Sequence, residues 1–337
     1  MEPDNWNIRL LALMSRLDNV ASRPTLLTSG CPARVIDAAV ASGLITSLRR
    51  GYYATAGADL DQRRVGILGG RLTCVSALRR EGIWAGHDPR LHVFLGRSAS
   101  PSRLEVVSLL GRDPELPRST AQFESDAGRP RIHWARPRGG TLLRPRSGPR
   151  LRLRPEYAAD WRESTLDSLR LAMVCMNEEN ALAAVDSALR LGRVRLDDLD
   201  DLFAALPERL HLLRALIDPR ADSGQESIVR LRLIRAGFRV EPQVPVPGSS
   251  ALDLLIEGLV GLEIDSREWH GDDEQIRFDF DKTLRSQESG TPCLRILYWH
   301  VFHDWARTLR TISRAVEDAR FMLLGREFAG RRARRRQ

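Results

Sequence analysis

The chain reads as a multidomain protein of mixed α+β and α/β class. Three observations predict this. Its 337 residues exceed what one hydrophobic core usually serves. Residues 1–60 alternate short helical patterns with a basic hairpin, and residues 218–325 follow an α-β-β-β-α-β-α order. Between them, residues 61–217 mix helical and strand patterns into a connecting domain. Residues 326–337, rich in arginine, are expected to be a disordered tail able to follow a nucleic-acid backbone.

At the front, Ile8, Leu11, Leu13, Met14 and Leu17 recur at helical spacing over Asn5–Leu17. Pro24–Gly30 is a short second helix stopped by glycine, and Pro32 opens a third over Ala33–Ser42, ended by Gly43. Leu44–Ala54 reads as strand, basic turn and strand. Helix, helix, turn, helix and basic hairpin make a winged helix-turn-helix. In that arrangement the third helix, with Arg34, enters the major groove of DNA, and the wing lays Arg49 and Arg50 on phosphate. A plain helical domain capped by its hairpin has the same pattern. The third helix offers only Arg34, Asp37 and Ser42 as polar groups, which suits gripping a duplex better than reading base edges. With Tyr52-Tyr53-Ala54 after Arg49-Arg50-Gly51, the segment resembles the N-terminal domain of abortive-infection-type antitoxins.

In the middle, Arg71–Gly82 is expected to be helical, Leu91–Leu95 and Arg131–Trp134 to be strands. Leu166–Cys175 and Glu178–Arg190 read as amphipathic helices, with shorter ones over Leu196–Ala205 and Leu210–Ile217. Pro101–Pro130 is turn-rich, and Arg136–Arg154 reads equally as a phosphate contact and as a solvated basic loop. His87, His92 and His133 stand isolated and are read as structural. Cys31, Cys74, Cys175 and Cys293 show neither metal-ligand spacing nor a disulfide framework. No zinc site is therefore expected, and a reducing cytoplasm fits.

The third segment carries the chemistry. After a turn-rich linker, Gln225–Ala236 reads as helix and Phe238–Gln243 as strand. Ala251–Glu257 and Leu259–Asp265 form two apolar strands, both expected to be buried on two faces, joined by a tight turn at Gly258. Helix, strand and helix follow over Asp273–Glu288, Cys293–Tyr298 and Asp304–Leu324. Asp253 and Glu263 sit within the two apolar strands, where carboxylates need a cationic partner. A hairpin turn between them brings the two side by side, which is the geometry of a divalent-cation site. Hydrolysis of a phosphodiester needs such an ion to offset phosphate charge and activate water. Oxygen donors point to Mg²⁺, or Mn²⁺ in its place. Glu226 on the preceding helix is the candidate for water-mediated metal binding or for positioning the nucleophile. His270 is the candidate general acid or base, and Lys282 the cation opposite the developing negative charge.

This order of elements, with Glu226, Asp253, Glu263, Asp265, Trp269-His270, Asp279 and Lys282 on it, resembles the PD-(D/E)XK nuclease superfamily. More closely, residues 222–320 are similar to very-short-patch-repair endonucleases and their uncharacterised actinobacterial relatives. The resemblance implies catalytic roles for Glu226, Asp253, Glu263, Asp265, His270 and Lys282, with the metal on Asp253 and Glu263. Where that superfamily carries E-x-K, this chain has Glu263-Ile264-Asp265, an acid in place of the lysine.

The formal charge of +8 agrees with a nucleic-acid partner. The balance is carried almost wholly by arginine, Lys282 being the sole lysine, which is also what a GC-rich coding bias produces. No stretch reaches the length of a membrane span, and the N-terminus lacks a signal-peptide pattern. Two functions follow as expectations: a metal-dependent DNA endonuclease, in a defence or repair setting that comes from the resemblance alone, or a non-catalytic DNA-binding regulator of antitoxin type. Duplex DNA is favoured over RNA only through the winged helix, and oligomeric state is left open.

Overall fold

The computed structural model describes residues 3–96, 129–134, 160–246, 250–265, 288 and 290–334. The described chain is mixed α+β, with helices set on three small sheets. It divides into two compact units, Met1–Met176 with Val194–His211, and Asn177–Arg193 with Leu212–Gln337. No helix among the described residues is long and apolar enough to cross a membrane.

The first unit begins with α1 (Pro3–Arg16), β1 (Val20–Ser22), α2 (Arg23–Thr28), α3 (Ala33–Ala41), β2 (Thr46–Arg49) and β3 (Tyr52–Ala54). Ser22 caps α2 by accepting the Thr25 N–H, and a proline sits in its first turn. Strand β1 is not foreseen by the sequence, being too short to show alternation. It exists because Asp18 and Asn19 both take φ near +60°, which turns the chain back along β3. Next comes α4 (Leu60–Leu68), also unforeseen, because Gln62 and Arg64 are buried on it and blur its apolar stripe. Its start is nevertheless written in the sequence as a reciprocal Asp59–Gln62 capping box.

A second sheet holds β4 (Arg71–Leu72), β5 (His92–Leu95) and β6 (Arg131–Trp134), with β5 central, antiparallel to β4 and parallel to β6. Helices α5 (Cys74–Arg80) and α6 (Thr165–Cys175) pack on each other, so the span expected to be helical from Arg71 opens with a strand. The expected boundary at residue 60 is not a gap in the packing. Val20, Tyr52 and Ala54 share one core with Leu72, Val93 and Trp161. Trp161, fully buried, is tied to β4 by Leu72 N–H to Trp161 O at 2.6 Å and Glu163 N–H to Leu72 O at 2.8 Å.

The second unit is built on a four-stranded sheet in the order β10-β9-β8-β7, with β7 at Val240–Val244, β8 at Leu252–Ile256, β9 at Val260–Asp265 and β10 at Cys293–Leu297. Strands β7, β8 and β9 are antiparallel and β10 runs parallel to β9. Pro242 is tolerated in β7 because that strand is an edge of the sheet. The β8–β9 turn spans Glu257, Gly258 and Leu259, with positive φ at Glu257 and Gly258 and the Leu259 N–H closing on Ile256 O at 2.9 Å. Two-faced burial holds for β9, whose residues are buried up to Asp265. Strand β8 instead alternates buried and half-buried positions.

Helix α7 (Glu178–Arg190), assigned by sequence to the middle region, packs in this unit against α9 (Gly224–Arg235). The fastening is ionic. Asp186 and Arg230, 1% and 4% exposed, pair at 2.8 Å, and Asp186 also accepts the Asp218 N–H. Burial pushes the Asp186 carboxyl up to about 6 even with Arg230 alongside. Glu179 adds a two-pronged pair with Arg232. After α8 (Asp198–Ala204, in the first unit) and α9, a short α10 (Tyr298–Phe302) leads into α11 (Trp305–Arg334). The tail expected to be disordered from residue 326 thus continues as helix through Arg334.

Candidate functional site

The site begins with strand register. Leu254 of β8 faces Leu262 of β9, so one further step sets Asp253 opposite Glu263. Directly opposed residues of an antiparallel pair project to the same side of a sheet. The same level extends outward. Arg295 of β10 is the partner of Glu263, and Gln243 of β7 falls opposite Asp253, between the Pro242–Leu254 and Val244–Leu252 pairs. Glutamine, aspartate, glutamate and arginine thus form one row across four strands.

Within that row, one Asp253 oxygen accepts the Ile264 N–H at 2.7 Å, and Glu263 is only 5% exposed. Glu226 enters from the first turn of α9, whose start is fixed by the Ser223 hydroxyl accepting the Glu226 N–H. Its Oε2 accepts the Asp222 N–H at 2.8 Å and the Gln243 side-chain amide at 2.9 Å. Gln243 holds φ at +53°, a left-handed conformation costing about 1–3 kcal/mol, and that backbone delivers its amide to Glu226. Burial, then the negative charge of Asp253, push the Glu226 carboxyl up to about 7. Glu226 and Asp253 therefore act on one another electrostatically.

Asp265, two residues beyond Glu263, has a specific partner. Arg295 grips it with two hydrogen bonds, at 2.9 and 3.1 Å. The position where the resembled superfamily carries a lysine is acidic here, yet the neighbouring strand brings a guanidinium to it. The sequence reading gives Arg295 no role of its own, although an arginine inside the apolar run Cys293–Leu297 is a visible signal. His270, Lys282, Asp279 and all but the last residue of the helix expected over 273–288 lie outside the described residues.

The residues assigned to DNA contact in the first unit divide. Arg34 and Arg50 are exposed on α3 and the β2–β3 turn. Arg49 is half-buried, its guanidinium 4.5 Å above the Tyr52 ring and against the C-terminal cap of α4 at Gly69. It is drawn inward by cation–π stacking and the negative end of α4, so the wing presents Arg50 more than Arg49. Asp37 of α3 is likewise occupied, by a two-pronged pair with Arg23 at 2.6 and 3.0 Å.

The expectation that His92 and His133 are isolated, and that the cysteines cannot build a metal site, is overturned by the fold. Cys74, His92, His133 and Cys175 converge, with one ligand atom from each within 4.8 Å of the others. Their separation hid them: His92 and His133 are 41 positions apart, and His92 and Cys175 are 83. Pairing of β5 with β6 and packing of α5 on α6 bring them together, and no short spacing rule encodes either event.

Compared with known proteins, the chain matches no family model and no curated relative.

Proposed function

We propose that the second unit is a divalent-metal-dependent phosphodiesterase acting on DNA, with a PD-(D/E)XK-like fold. The observation that supports it most is Glu226, whose carboxyl is raised by burial and by the charge of Asp253, beside a β8–β9 ladder whose register, carried one step on, sets Asp253 level with Glu263. An all-oxygen donor set of this kind suits Mg²⁺ or Mn²⁺, with Asp253 and Glu263 as ligands. When bound, such an ion supplies charge neutralisation at phosphate and a more acidic water. The chain's own part is positional. The Ile264 N–H holds one Asp253 oxygen, and the Gln243 amide and the Asp222 N–H hold Glu226 Oε2. Arg295, fixed by Asp265, offers a guanidinium for a phosphate oxygen in the role that the lysine of E-x-K would fill. In this reading His270 and Lys282 complete proton transfer and charge stabilisation.

The first unit's helices and hairpin are proposed as a winged-helix module holding duplex DNA through Arg34 and Arg50, with Arg49 supporting the hairpin from within. The experiment is Mg²⁺-dependent nicking of supercoiled plasmid. Wild type should nick, and Asp253→Asn and Glu263→Gln should each lose about 10²-fold or more in rate. Absence of nicking by wild type under Mg²⁺ and Mn²⁺, or equal nicking by both variants, would refute the assignment.

One observation favours a second reading, a non-catalytic DNA-binding regulator. Asp265 is balanced by Arg295, and Glu226 is hydrogen-bonded by Asp222 and Gln243, so part of the acid set is satisfied within the chain. Tight DNA binding that survives chelation, with intact plasmid under every metal, selects that reading.

A further inference from the structure

We propose that Cys74, His92, His133 and Cys175 of the first unit bind a structural Zn²⁺ ion. The inference is independent of the nuclease reading, which concerns the other unit and oxygen donors. Two thiols and two imidazoles form a donor set that selects zinc over Mg²⁺ or Ca²⁺, and four protein ligands close the coordination sphere.

Distances agree with such a sphere. Tetrahedral zinc, with bonds of about 2.3 Å to sulfur and about 2.0–2.1 Å to nitrogen, sets neighbouring donor atoms roughly 3.3–3.8 Å apart. Here His92 Nδ1 lies 3.1 Å from His133 Nε2 and 3.9 Å from Cys175 Sγ. All four donor atoms fall within 4.8 Å. Small side-chain movements would close the remainder.

The surroundings are those of a ligand set rather than of a chance cluster. His92 is fully buried and turns Nδ1 inward, while its Nε2 lies 3.2 Å from Asp88 Oδ2, though off the line of a good hydrogen bond. A carboxylate behind a ligating imidazole fixes the ring and raises its basicity. Asp88 is itself anchored by two hydrogen bonds from the Arg90 guanidinium, at 2.9 and 2.6 Å. Cys74 holds φ at +53°, a strained conformation for a non-glycine residue, at the first position of α5.

The bland alternative is an imidazole–imidazole hydrogen bond flanked by two thiols. The ion would instead tie together α5, β5, β6 and α6, the last two of which follow long connections from the preceding strands. Full-length protein purified under reducing conditions without chelator should carry one zinc per chain, released by a thiol-specific mercurial. After exchange, Co²⁺ should give thiolate charge-transfer and tetrahedral d–d absorption. Cys175→Ser and His133→Ala should lose the metal, while Cys293→Ser keeps it. Should those variants fail to fold, Cys175→His restores a four-ligand set and should recover binding. Alkylation of wild type provides a further check, with Cys74 and Cys175 protected until a strong chelator is added. Protein that holds no zinc and takes up no Co²⁺, full metal content in Cys175→Ser, alkylation indifferent to chelator, or a Cys74–Cys175 disulfide would each overturn the proposal.

Discussion

The second unit gathers oxygen donors on one hairpin and its flanking helix, whereas the first gathers sulfur and imidazole nitrogen from four separate elements. The acid group keeps Glu226 beside Asp253 although the two repel, an oxygen-donor arrangement that suits a weakly held, exchangeable ion. The Cys/His cluster offers a complete ligand set with a supporting carboxylate, which suits an ion that stays for the life of the fold. In the functions proposed for them, one arrangement serves chemistry and the other serves architecture.

That contrast can be broken at several points. The largest effect is expected at the Asp186–Arg230 pair. Asp186→Ala leaves a buried guanidinium without its carboxylate and should cost about 3–5 kcal/mol, seen as a lower denaturation midpoint. A loss under 1 kcal/mol would show that α7 is not fastened to α9 as described.

Next comes Glu226. Its carboxyl stands near 7 when folded against an ordinary 4.5, so the folded state keeps a proton that the unfolded chain releases between those values. Stability contributed this way is complete below pH 4.5 and is lost as pH rises toward 7, by on the order of 3 kcal/mol in all. Thermal melts across that range, without added divalent cation, should slope downward in wild type and be flatter in Glu226→Gln. Added Mg²⁺ should recover stability at pH 8 in wild type. Identical slopes in the two proteins would remove the electrostatic argument for the acid row.

A smaller effect separates the soft-ligand centre. Asp88→Asn weakens the support of His92 and should lower zinc affinity by about 10–100-fold in a chelator competition, with no change in stoichiometry at saturating zinc. An unchanged affinity would reduce Asp88 to a partner of Arg90. The smallest effect is at the hairpin. Arg50→Ala should lower the salt dependence of DNA binding by about one unit of slope, while Arg49→Ala should act mainly on stability because Arg49 is stacked on Tyr52. A reversed pattern would return Arg49 to the DNA face.

Much of the second unit was legible from local pattern. The sequence predicts α9, the four strands and the hairpin turn within a residue or two, because apolar runs, Ser223 and Gly258 mark their ends. Asp253 and Glu263 stood out for the same reason, as acids inside apolar strands. Less was visible in the first unit. Strand β1 is too brief to show a period, and α4 buries Gln62 and Arg64, so its helical stripe is masked. Arg49 looked like a surface cation because its partners, Tyr52 and the end of α4, are assembled only by folding.

By itself, the sequence determined the element types of the second unit's sheet, the hairpin that carries two carboxylates and the basic character of the chain. These rest on propensity, periodicity and turn chemistry, which act over a few neighbouring residues. Tertiary structure alone decided that Tyr52 and Trp161 share a core, that α7 belongs with α9, that Arg295 reaches Asp265 and that Cys74, His92, His133 and Cys175 meet. Each of these joins residues far apart in the chain, and such contacts depend on how whole elements stack to bury apolar surface, which no short window of sequence records.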